Sequence, residues 1–420
     1  MQDRLESPAN ALPSSVDVAV IGGGPAGSSA AALLRKKGHA VAVFEAQRFP
    51  RFVIGESLLA HCMDHLDEAG MLDAVKERAY LVKGGALFLR GAERSDFDFA
   101  DQFTKGWSWT WQVPRADFDL TLANAAYRQG VPIFYEQKVT ALDVGPPHTL
   151  TMSGAAGEHR LTARWVIDAS GYGRVLPRLL GLDTPSSLPP RKALFSHVTG
   201  DRRPSGPDEN RIWICMHPGG AWIWIIPFSD GVTSVGVVAD LAFFERYAGD
   251  DEAVLRAALA EEPNARDRLR DAKLLWAPRI LESFSASVTR MSGPGYVLVG
   301  NATEFLDPVF SSGVTLALES ANRAAKLVDR ALAGESPDWA RDYEAYMGVG
   351  IDAFRTFVEG WYSGEFPRVL FAPNPSPAIR RQITSVLAGY VWDQANPFVR
   401  EPERKLRQVL NIIAREEAAG

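Results

Sequence analysis

Short apolar runs that end in glycine alternate with helical stretches near the start of the chain. Residues 18–21 form a run of this kind, 22–27 contain four glycines, and 28–37 are rich in alanine. The pattern predicts a strand, a tight turn and a helix, in that order. Gly38 is expected to end the helix, and a second strand is predicted at 41–45.

Similar patterns continue along the rest of the chain. The elements that they predict are buried strands running into glycine turns at 165–171 and 296–300, an antiparallel sheet at 191–238, and helices at 115–129 and 315–333, the last ending at Gly334. Residues 354–399 are rich in aromatic side chains, which predicts packed helices or a cover over an apolar site. Two proline-rich patches, 145–147 and 187–190, are expected to be loops between folding units.

The bulk composition restricts the function classes. The chain has 420 residues, 46% of them hydrophobic and 23% charged, and its net charge of −6 provides no basic field for nucleic acid. No apolar run reaches the roughly 18 to 20 residues that a membrane span needs, and residues 1–15 lack the pattern of a signal peptide. Cys62 and Cys215 have no metal-like spacing, which favours a reducing, cytoplasmic location.

The run 222–227 is the most unusual strand pattern. Trp222 and Trp224 are two positions apart, so a strand would place both indoles on one face. Pro227 would end the ladder by removing a backbone donor. Two interpretations are open at this point, a core strand with aromatic packing or the wall of a cavity.

The glycine turn carries the chemistry of the first unit. Gly22, Gly24 and Gly27 have the spacing that lets backbone amides approach a pyrophosphate at a helix N-terminus. Glu45 lies at the distance along the chain where a carboxylate binds ribose hydroxyls. A glycine-tightened turn without a ligand is the alternative, but it leaves Glu45 unexplained. The pattern therefore predicts a bound dinucleotide.

Two later turns indicate which dinucleotide it is. Residues 168–171 and 300–302 each follow an apolar strand, and with the first turn they resemble the three-segment pattern of FAD-dependent hydroxylases and glutathione-reductase-like flavoproteins. This resemblance implies FAD rather than NAD. Because no second phosphate-binding turn occurs, it also implies a separate flavin reductase, although some hydroxylases of this group take NADPH without such a turn.

Four stretches make the resemblance more specific. They are 49–58, 81–86, 222–227 with its W-x-W-x-I-P signature, and 305–314, and all four are similar to segments of flavin-dependent halogenases. The similarity extends from the first strand to about residue 365 and is closest to the branch that acts on phenols and pyrroles. It implies that FADH2, O2 and chloride or bromide form hypohalous acid, which halogenates an electron-rich phenol, pyrrole or polyketide-type aromatic.

The resemblance also implies roles for individual residues. Lys83 would hold or react with the hypohalous acid, Trp222 and Trp224 would separate flavin from substrate, and the amides of Ser312 and Gly313 would bind the halide. A solvated loop lysine is the alternative for Lys83, and a helix cap for the serine. The FAD contacts that the motifs and the resemblance imply are Gly22, Gly24, Pro25, Ala26, Gly27, Glu45, Arg51, Ser57, Arg115, Val139, Asp168, Gly171, Asn301 and Pro308.

Some of these residue types have simpler roles. Arg115 would otherwise be a surface arginine at a helix start, and Asp168 would cap its turn. His61 and His65 have i, i+4 spacing on a predicted helix, which suits a metal. With no third ligand near them in the sequence, we expect no metal.

Two departures from the family pattern restrict the prediction. Asn301 stands where many related flavoproteins carry aspartate, and Phe310 stands where tryptophan halogenases carry glutamate, which argues against free tryptophan as substrate. Since some related proteins do not halogenate, the alternative is an FAD-dependent monooxygenase or a dehydrogenase/reductase in pigment, polyene or lipid biosynthesis. A flavin-binding scaffold without turnover is a third hypothesis, which the intact Lys83, Pro308 and Gly313 argue against.

The C-terminal end is locally basic within an acidic chain. Its basic residues include Arg380, Arg381, Arg400, Arg404, Lys405 and Arg407. Pyrrole halogenases take substrates tethered to an acidic carrier protein, so the resemblance and the charge contrast suggest that such a carrier docks here. The substrate is thus expected to be a small aromatic or apolar molecule, free or carrier-tethered.

Together these patterns predict an α/β protein with three parts, a division that the chain length allows. The parts are a Rossmann-like FAD-binding domain at 1–75, 110–182 and 285–335, an inserted antiparallel β-sheet substrate domain at 76–109 and 183–284, and a C-terminal helical cap at 336–420.

Overall fold

The computed structural model of the chain describes residues 3–419. Its strands, numbered in chain order, are β1 Ser15–Ile21, β2 Val41–Glu45, β3 Leu81–Lys83, β4 Gly85–Arg90, β5 Glu93–Asp98, β6 Thr110–Gln112, β7 Ile133–Tyr135, β8 Lys138–Asp143, β9 His148–Gly154, β10 Gly157–Asp168, β11 Asp183–Thr184, β12 Lys192–Thr199, β13 Arg211–Met216, β14 Trp222–Pro227, β15 Val232–Ala239, β16 Lys273–Leu274, β17 Arg279–Glu282, β18 Ser287–Val288, β19 Ser292–Gly293 and β20 Tyr296–Leu298. Its α-helices are α1 Pro25–Lys36, α2 Cys62–Glu68, α3 Leu72–Lys76, α4 Arg115–Arg128, α5 Val175–Leu179, α6 Leu241–Phe244, α7 Asp251–Glu261, α8 Pro263–Leu269, α9 Ser312–Leu332, α10 Tyr346–Ser363, α11 Glu365–Leu370, α12 Pro377–Leu387, α13 Pro397–Arg400 and α14 Pro402–Ala419.

The first eight-stranded sheet is built on parallel strands. Its order is β19-β20-β10-β1-β2-β7, with β9 paired to β10 and β8 to β9. The neighbours from β20 to β7 run parallel, and the side chains of 18–21 and 41–45 are buried. Continuous apolar runs suit strands that are covered on both faces. The carboxyl ends of these parallel strands meet at one edge of the sheet.

The second eight-stranded sheet is mainly antiparallel. Its order is β16-β12-β15-β14-β13-β4-β5, β17 pairs with β12, and β13 and β4 run parallel. In β14, Trp222, Trp224 and Ile226 belong to the main core shared with the first sheet. Ile223 and Ile225 belong to a second core, to which α7 and α8 contribute. The predicted alternation of the tryptophan strand is confirmed.

The C-terminal part of the chain is helical, from α10 to α14. Phe354, Phe357, Phe366 and Phe398 are buried in the same core as Trp222. The aromatic tail is therefore a structural part of the main core. Within residues 3–419, no helix combines the length and the apolar character that a membrane span requires.

The fold class agrees with the prediction, although some boundaries differ. Helix α1 begins at Pro25 rather than 28, and α9 at Ser312 rather than 315. Both residues suit a first helical turn, where the backbone N–H has no intrahelical partner. The proline patch at 145–147 joins β8 to β9 within one hairpin, so the expectation of a loop between folding units is wrong there. The division into three domains stays a prediction.

Gly236 makes room for one of the two tryptophans of β14. It lies opposite Trp224 in the pairing of β14 with β15, and a Cβ added to it would lie 2.3 Å from two atoms of the indole. On the same strand, the hydroxyl of Ser234 accepts a hydrogen bond of 3.0 Å from the indole Nε1. The indole therefore lies against β15, and glycine is needed there because of this contact.

We expect Gly236→Ala to displace the indole of Trp224 and to lower the free energy of unfolding by about 1–3 kcal/mol, the usual cost of overpacking. Tryptophan fluorescence and chemical unfolding measure the two effects. Gly348→Ala is the control, because a Cβ there meets no other atom within 4 Å. A Gly236→Ala protein with wild-type stability and fluorescence would contradict this interpretation.

Candidate active site

A cavity of about 620 Å³ lies where the carboxyl ends of the parallel strands meet the inner face of the second sheet. Its lining includes Gly22 and Glu45, which lie at the ends of β1 and β2, and Trp222 and Trp224 of β14. Ligands of doubly wound α/β folds bind at this edge of the parallel sheet. The cavity is therefore the candidate active site.

The glycine turn has the geometry of a pyrophosphate site. Gly22 has a φ of 96°, and a Cβ on Gly27 would lie 1.9 Å from the carbonyl oxygen of Gly22. These contacts bring α1 close to β1 and leave no room for side chains. Gly24 precedes α1 and no side chain caps the helix, so its first amides can bind an anion in the cavity.

Glu45 is held in a fixed orientation at the end of β2. Its Oε2 accepts a hydrogen bond of 2.8 Å from the backbone N–H of Gly23, and its Oε1 accepts one of 2.8 Å from that of Gln47. The side chain is buried and lines the cavity. A carboxylate with this orientation can accept hydrogen bonds from the hydroxyls of a ribose.

Two arginines share one carboxylate beside the cavity. Arg115 donates to Asp119 from Nε at 2.8 Å, and Arg51 donates to it from Nη1 at 2.8 Å. Burial alone would raise the pKa of Asp119, but the two guanidinium groups hold that pKa below its ordinary value. Two positive charges against one negative charge leave a net positive charge on this cluster, which suits a phosphate.

Most of the predicted FAD contacts line this cavity. They are Gly22, Gly24, Pro25, Ala26, Glu45, Arg51, Ser57, Arg115, Val139, Gly171, Asn301 and Pro308. The surface alternative for Arg115 is wrong, since this residue is buried.

Two predicted FAD contacts do not line the cavity. Gly27 acts in the packing of α1 on β1. Asp168 is fully buried, and its two oxygens accept from the backbone N–H groups of Ser170 at 2.9 Å and Leu176 at 2.6 Å. Asp168 therefore caps its turn, which was the alternative role for this residue, and its contact with the flavin stays a prediction.

The N-terminus of α9 presents a second anion site to the same cavity. Ser311, the residue before the helix, has left-handed backbone geometry with a φ of 57°, and no side chain caps the helix. Ser311 and Gly313 line the cavity, and Ser312 is buried beside them. This 21-residue helix therefore directs the positive end of its dipole at the cavity.

Both tryptophans of β14 line the cavity and are fixed by hydrogen bonds. Their ring centroids are 5.9 Å apart. Trp224 Nε1 donates to Ser234, and Trp222 Nε1 donates to the hydroxyl of Tyr362 at 3.0 Å. Tyr362 lies on α10, so the C-terminal helices help to position the wall of the cavity.

Asp307 ends this chain of hydrogen bonds. Its Oδ2 accepts from the hydroxyl of Tyr362 at 2.7 Å, and its Oδ1 accepts from the backbone N–H of Val309 at 2.9 Å. Burial raises the pKa of Asp307 to about 6, against the effect of the hydrogen bond from Tyr362. The sequence analysis missed this pair, because the two residues lie in separate segments and no motif joins them.

Lys83 is at the end of β3 and is 1% exposed, so the alternative of a solvated loop lysine is wrong. Its Nζ donates to the carbonyl of Leu58 at 2.8 Å and lies 5.3 Å from the centroid of the Phe99 ring. Burial lowers the pKa of Lys83 from 10.5 to about 7. Lys83 does not line the cavity, but Ser57, next to Leu58, does.

Phe310 lies inside an aromatic cluster rather than beside a charged group. Its ring centroid is 5.5 Å from that of Phe366, 6.0 Å from that of Phe357 and 6.5 Å from that of Phe88. Phe357 and Phe366 come from α10 and α11, and Phe88 from β4. The position at which tryptophan halogenases carry a glutamate is therefore apolar in this protein.

The glycine turn, Glu45 and the arginine pair define an FAD-binding flavoprotein, and the model of the FAD binding domain family matches residues 15–345. The chain is 33% identical to tryptophan 2-halogenase of Chondromyces crocatus over 367 residues, which are 85% of this chain and 67% of that protein. It is 29% identical to 1H-pyrrole-2-carbonyl-(peptidyl-carrier protein) brominase of Pseudoalteromonas luteoviolacea over 395 residues, or 90% and 93% of the two chains.

A solved structure of a flavoprotein/dehydrogenase from Cytophaga hutchinsonii superposes with a TM-score of 0.94 at 49% identity, covering 96% of this chain and 100% of that one. On these similarities the chain belongs to the flavin-dependent halogenase family. The predicted family, the enzyme class of FAD-dependent oxidoreductase and the FAD cofactor are confirmed.

The buried amine of Lys83 generates a pH-dependent prediction. Its pKa is lower in the folded chain, about 7, than its ordinary value of 10.5. Between these values the unfolded chain binds a proton that the folded chain does not, so this group makes the unfolding free energy rise with pH. The full stabilisation is present above pH 10.5 and is lost as the pH falls through 7.

Lys83→Met should therefore be more stable than wild type near pH 7, and this advantage should shrink toward pH 10.5 by on the order of 4 kcal/mol. The lost hydrogen bond to Leu58 costs about 1 kcal/mol at every pH and does not change the slope. Chemical unfolding across this range provides the measurement, with Lys273→Met, an exposed lysine, as the control. If the difference in unfolding free energy between Lys83→Met and wild type did not change with pH, the amine of Lys83 would not be buried in its neutral form.

Proposed function

We propose that the protein uses reduced FAD, O2 and chloride or bromide to halogenate an electron-rich aromatic compound by way of hypohalous acid. The observation that carries the proposal is the shared cavity: the dinucleotide turn, the uncapped N-terminus of α9 and the tryptophan pair all line it. Bound FAD would supply the electrons that activate O2. The glycine turn, Glu45, Arg51 and Arg115 would hold this cofactor.

The start of α9 would bind the halide. A halide needs hydrogen-bond donors and a positive potential, and the first amides of a long uncapped helix supply both. The amides of Ser312 and Gly313 are the donors that we propose. Trp222 and Trp224, each fixed by a hydrogen bond, would keep the aromatic substrate away from the flavin while hypohalous acid forms.

Lys83 would deliver the halogen. With its pKa lowered to about 7 by burial, a large fraction of its amine is neutral near neutral pH and can react with hypohalous acid or hydrogen-bond to it. The amine lies directly behind the lining, since it donates to Leu58 and the adjacent Ser57 faces the cavity. We propose that the flexible stem of Lys83 turns away from Leu58 during turnover.

The apolar surroundings of Phe310 favour a phenol, pyrrole or polyketide-type aromatic over free tryptophan. In support of a tethered substrate, the relative from Pseudoalteromonas luteoviolacea is named for a pyrrole-2-carbonyl group on a peptidyl-carrier protein. Electrons would come from a separate flavin reductase, and the predicted location is the cytoplasm.

The basic C-terminal end gives partial support to docking of a carrier. Arg404 donates to Glu401 at 2.8 Å, and Arg407 lies 3.9 Å from Glu403, so part of its charge is neutralised locally. Lys405 lies over the ring of Phe398. If an acidic carrier docks here, reversal of Arg404 and Lys405 to glutamate should lower turnover of a tethered substrate and spare that of the free acid. Unchanged turnover of both forms would count against docking.

Mass spectrometry of products tests the main proposal. Incubation with reduced FAD, O2, chloride or bromide and a panel of phenols and pyrroles should yield halogenated products. Lys83→Met should lower their yield by at least about 100-fold, the scale of losing a reacting group, while FAD absorbance of the purified protein is unchanged. Lys273→Met should behave as wild type.

An FAD-dependent dehydrogenase or monooxygenase is the second candidate. The 49% identical solved structure, described as a flavoprotein/dehydrogenase, favours it, as does the position of Lys83 outside the cavity lining. The same assay separates the two functions. Desaturated or hydroxylated product without halogen, unaffected by Lys83→Met, would overturn the halogenase proposal.

A further inference from the structure

Two histidines and a glutamate meet between α2 and α9, outside the flavin cavity. His61 directly precedes α2, His65 lies within it, and Glu319 lies on α9. One ligand atom from each residue lies within 4.8 Å of the other two. None of the three residues lines the cavity.

The rings and the carboxylate are oriented by contacts on their outer sides. His61 Nδ1 lies 3.1 Å from the carbonyl oxygen of Gly389, so this nitrogen carries the hydrogen and Nε2 keeps its lone pair. Tyr346 donates from its hydroxyl to Oε1 of Glu319 at 2.8 Å, and Oε2 faces Nε2 of His65. Metal-binding histidines typically donate their second N–H to a backbone carbonyl in this way.

The inner atoms of the two side chains form a close, buried contact. His65 Nε2 lies 3.0 Å from Oε2 of Glu319, which is ion-pair distance, but the angle of this contact is outside the range of a good hydrogen bond. His65 is 6% exposed and Glu319 is 7% exposed. A buried imidazole and carboxylate that meet at a poor angle gain less than an aligned pair would. A cation bound between the ring and the carboxylate would satisfy both.

We propose that His61, His65 and Glu319 bind one divalent transition-metal ion, with Zn²⁺ as the preferred ion. Two imidazole nitrogens and one carboxylate oxygen form a common protein ligand set for this metal, and a water would complete a four-coordinate site. Zn²⁺ has no redox chemistry, and its role here is to join two helices.

The site was not predictable from the spacing of the sequence alone. His61 and His65 have the i, i+4 spacing of metal ligands, but Glu319 is 254 residues after His65 and reaches it only because α9 packs against α2. The expectation of no metal rested on the lack of a third ligand nearby, and the fold supplies that ligand.

The position of the site on α9 gives it a structural consequence. Glu319 is six residues after Gly313, which corresponds to about 9 Å along a helix axis. Between them, Thr315 contacts the thiol of Cys62 on α2 at 3.1 Å. A metal at Glu319 would hold α9 against α2 and so fix the helix whose first turn lines the flavin cavity.

Metal binding to the FAD-loaded protein tests the proposal. After removal of metal by a chelator, competition titration should give one Zn²⁺ per chain, and Zn²⁺ should raise the thermal midpoint. Glu319→Gln keeps the size of the side chain and its contact with Tyr346, and it should weaken Zn²⁺ binding by more than the roughly 10–100-fold that loss of an outer-sphere partner costs. His65→Gln should have a similar effect.

The control is His159→Gln. His159 lies on β10, and its ring contacts the carbonyl oxygen of Pro13 rather than a residue of the proposed site. It should bind Zn²⁺ as wild type does. The wild-type protein loaded with Co²⁺ should show the visible absorption of a four-coordinate ion, a readout that needs no variant. Substoichiometric Zn²⁺, equal affinities for wild type and Glu319→Gln, or Co²⁺ without this absorption would each overturn the proposal.

Discussion

The indole N–H groups of Trp222 and Trp224 are buried and need hydrogen-bond acceptors, and this requirement decides how the parts of the protein fit together. An indole N–H that is buried without a partner costs on the order of 1–3 kcal/mol. Trp224 finds its acceptor in Ser234 on the neighbouring strand, whereas Trp222 finds one in Tyr362 on a C-terminal helix. Tyr362 in turn donates to Asp307, just before the turn that opens α9. One chain of contacts thus connects the second sheet, the C-terminal helices and the start of α9.

This connection explains why the cavity has two different walls. The side of the first sheet is polar, since glycine turns and helix N-termini present backbone amides there beside the charged side chains of Glu45, Arg51 and Arg115. The side of the second sheet is mainly apolar, with the rings of Trp222 and Trp224 beside aliphatic side chains such as that of Ile214. A flavin needs the first kind of surface for its phosphates and an apolar surface for its ring system. Both are present because β14 turns its tryptophans toward the carboxyl edge of the parallel sheet.

The sequence predicted best what depends on neighbouring residues. The turn at 22–27, the end of β2 at Glu45 and the alternation in β14 are local patterns, and the structure has them where they were expected. Long-range pairs could not be predicted in this way. The partner of Tyr362 lies 55 residues away, and the histidines of α2 meet their glutamate across 254 residues. Asp168 shows a related limit: its spacing suited a ligand contact, and the structure adds that its oxygens accept from two local amides.

Lys83 is a buried basic residue whose presence in the core is not explained by packing. The other strongly buried cations near the cavity are compensated, as Arg115 is by Asp119. In the described part of the chain, no carboxylate lies within ion-pair distance of Lys83 Nζ, which donates to the carbonyl of Leu58 and lies over the face of Phe99. An apolar side chain of the same length would fill this space at lower cost, because burial of an unpaired ammonium is strongly unfavourable. This unfavourable burial, together with a pKa lowered to about 7, supports the reactive role that we propose for Lys83. The contact of its amine with Leu58, which adjoins Ser57 of the cavity lining, agrees with the role of halogen carrier that we propose.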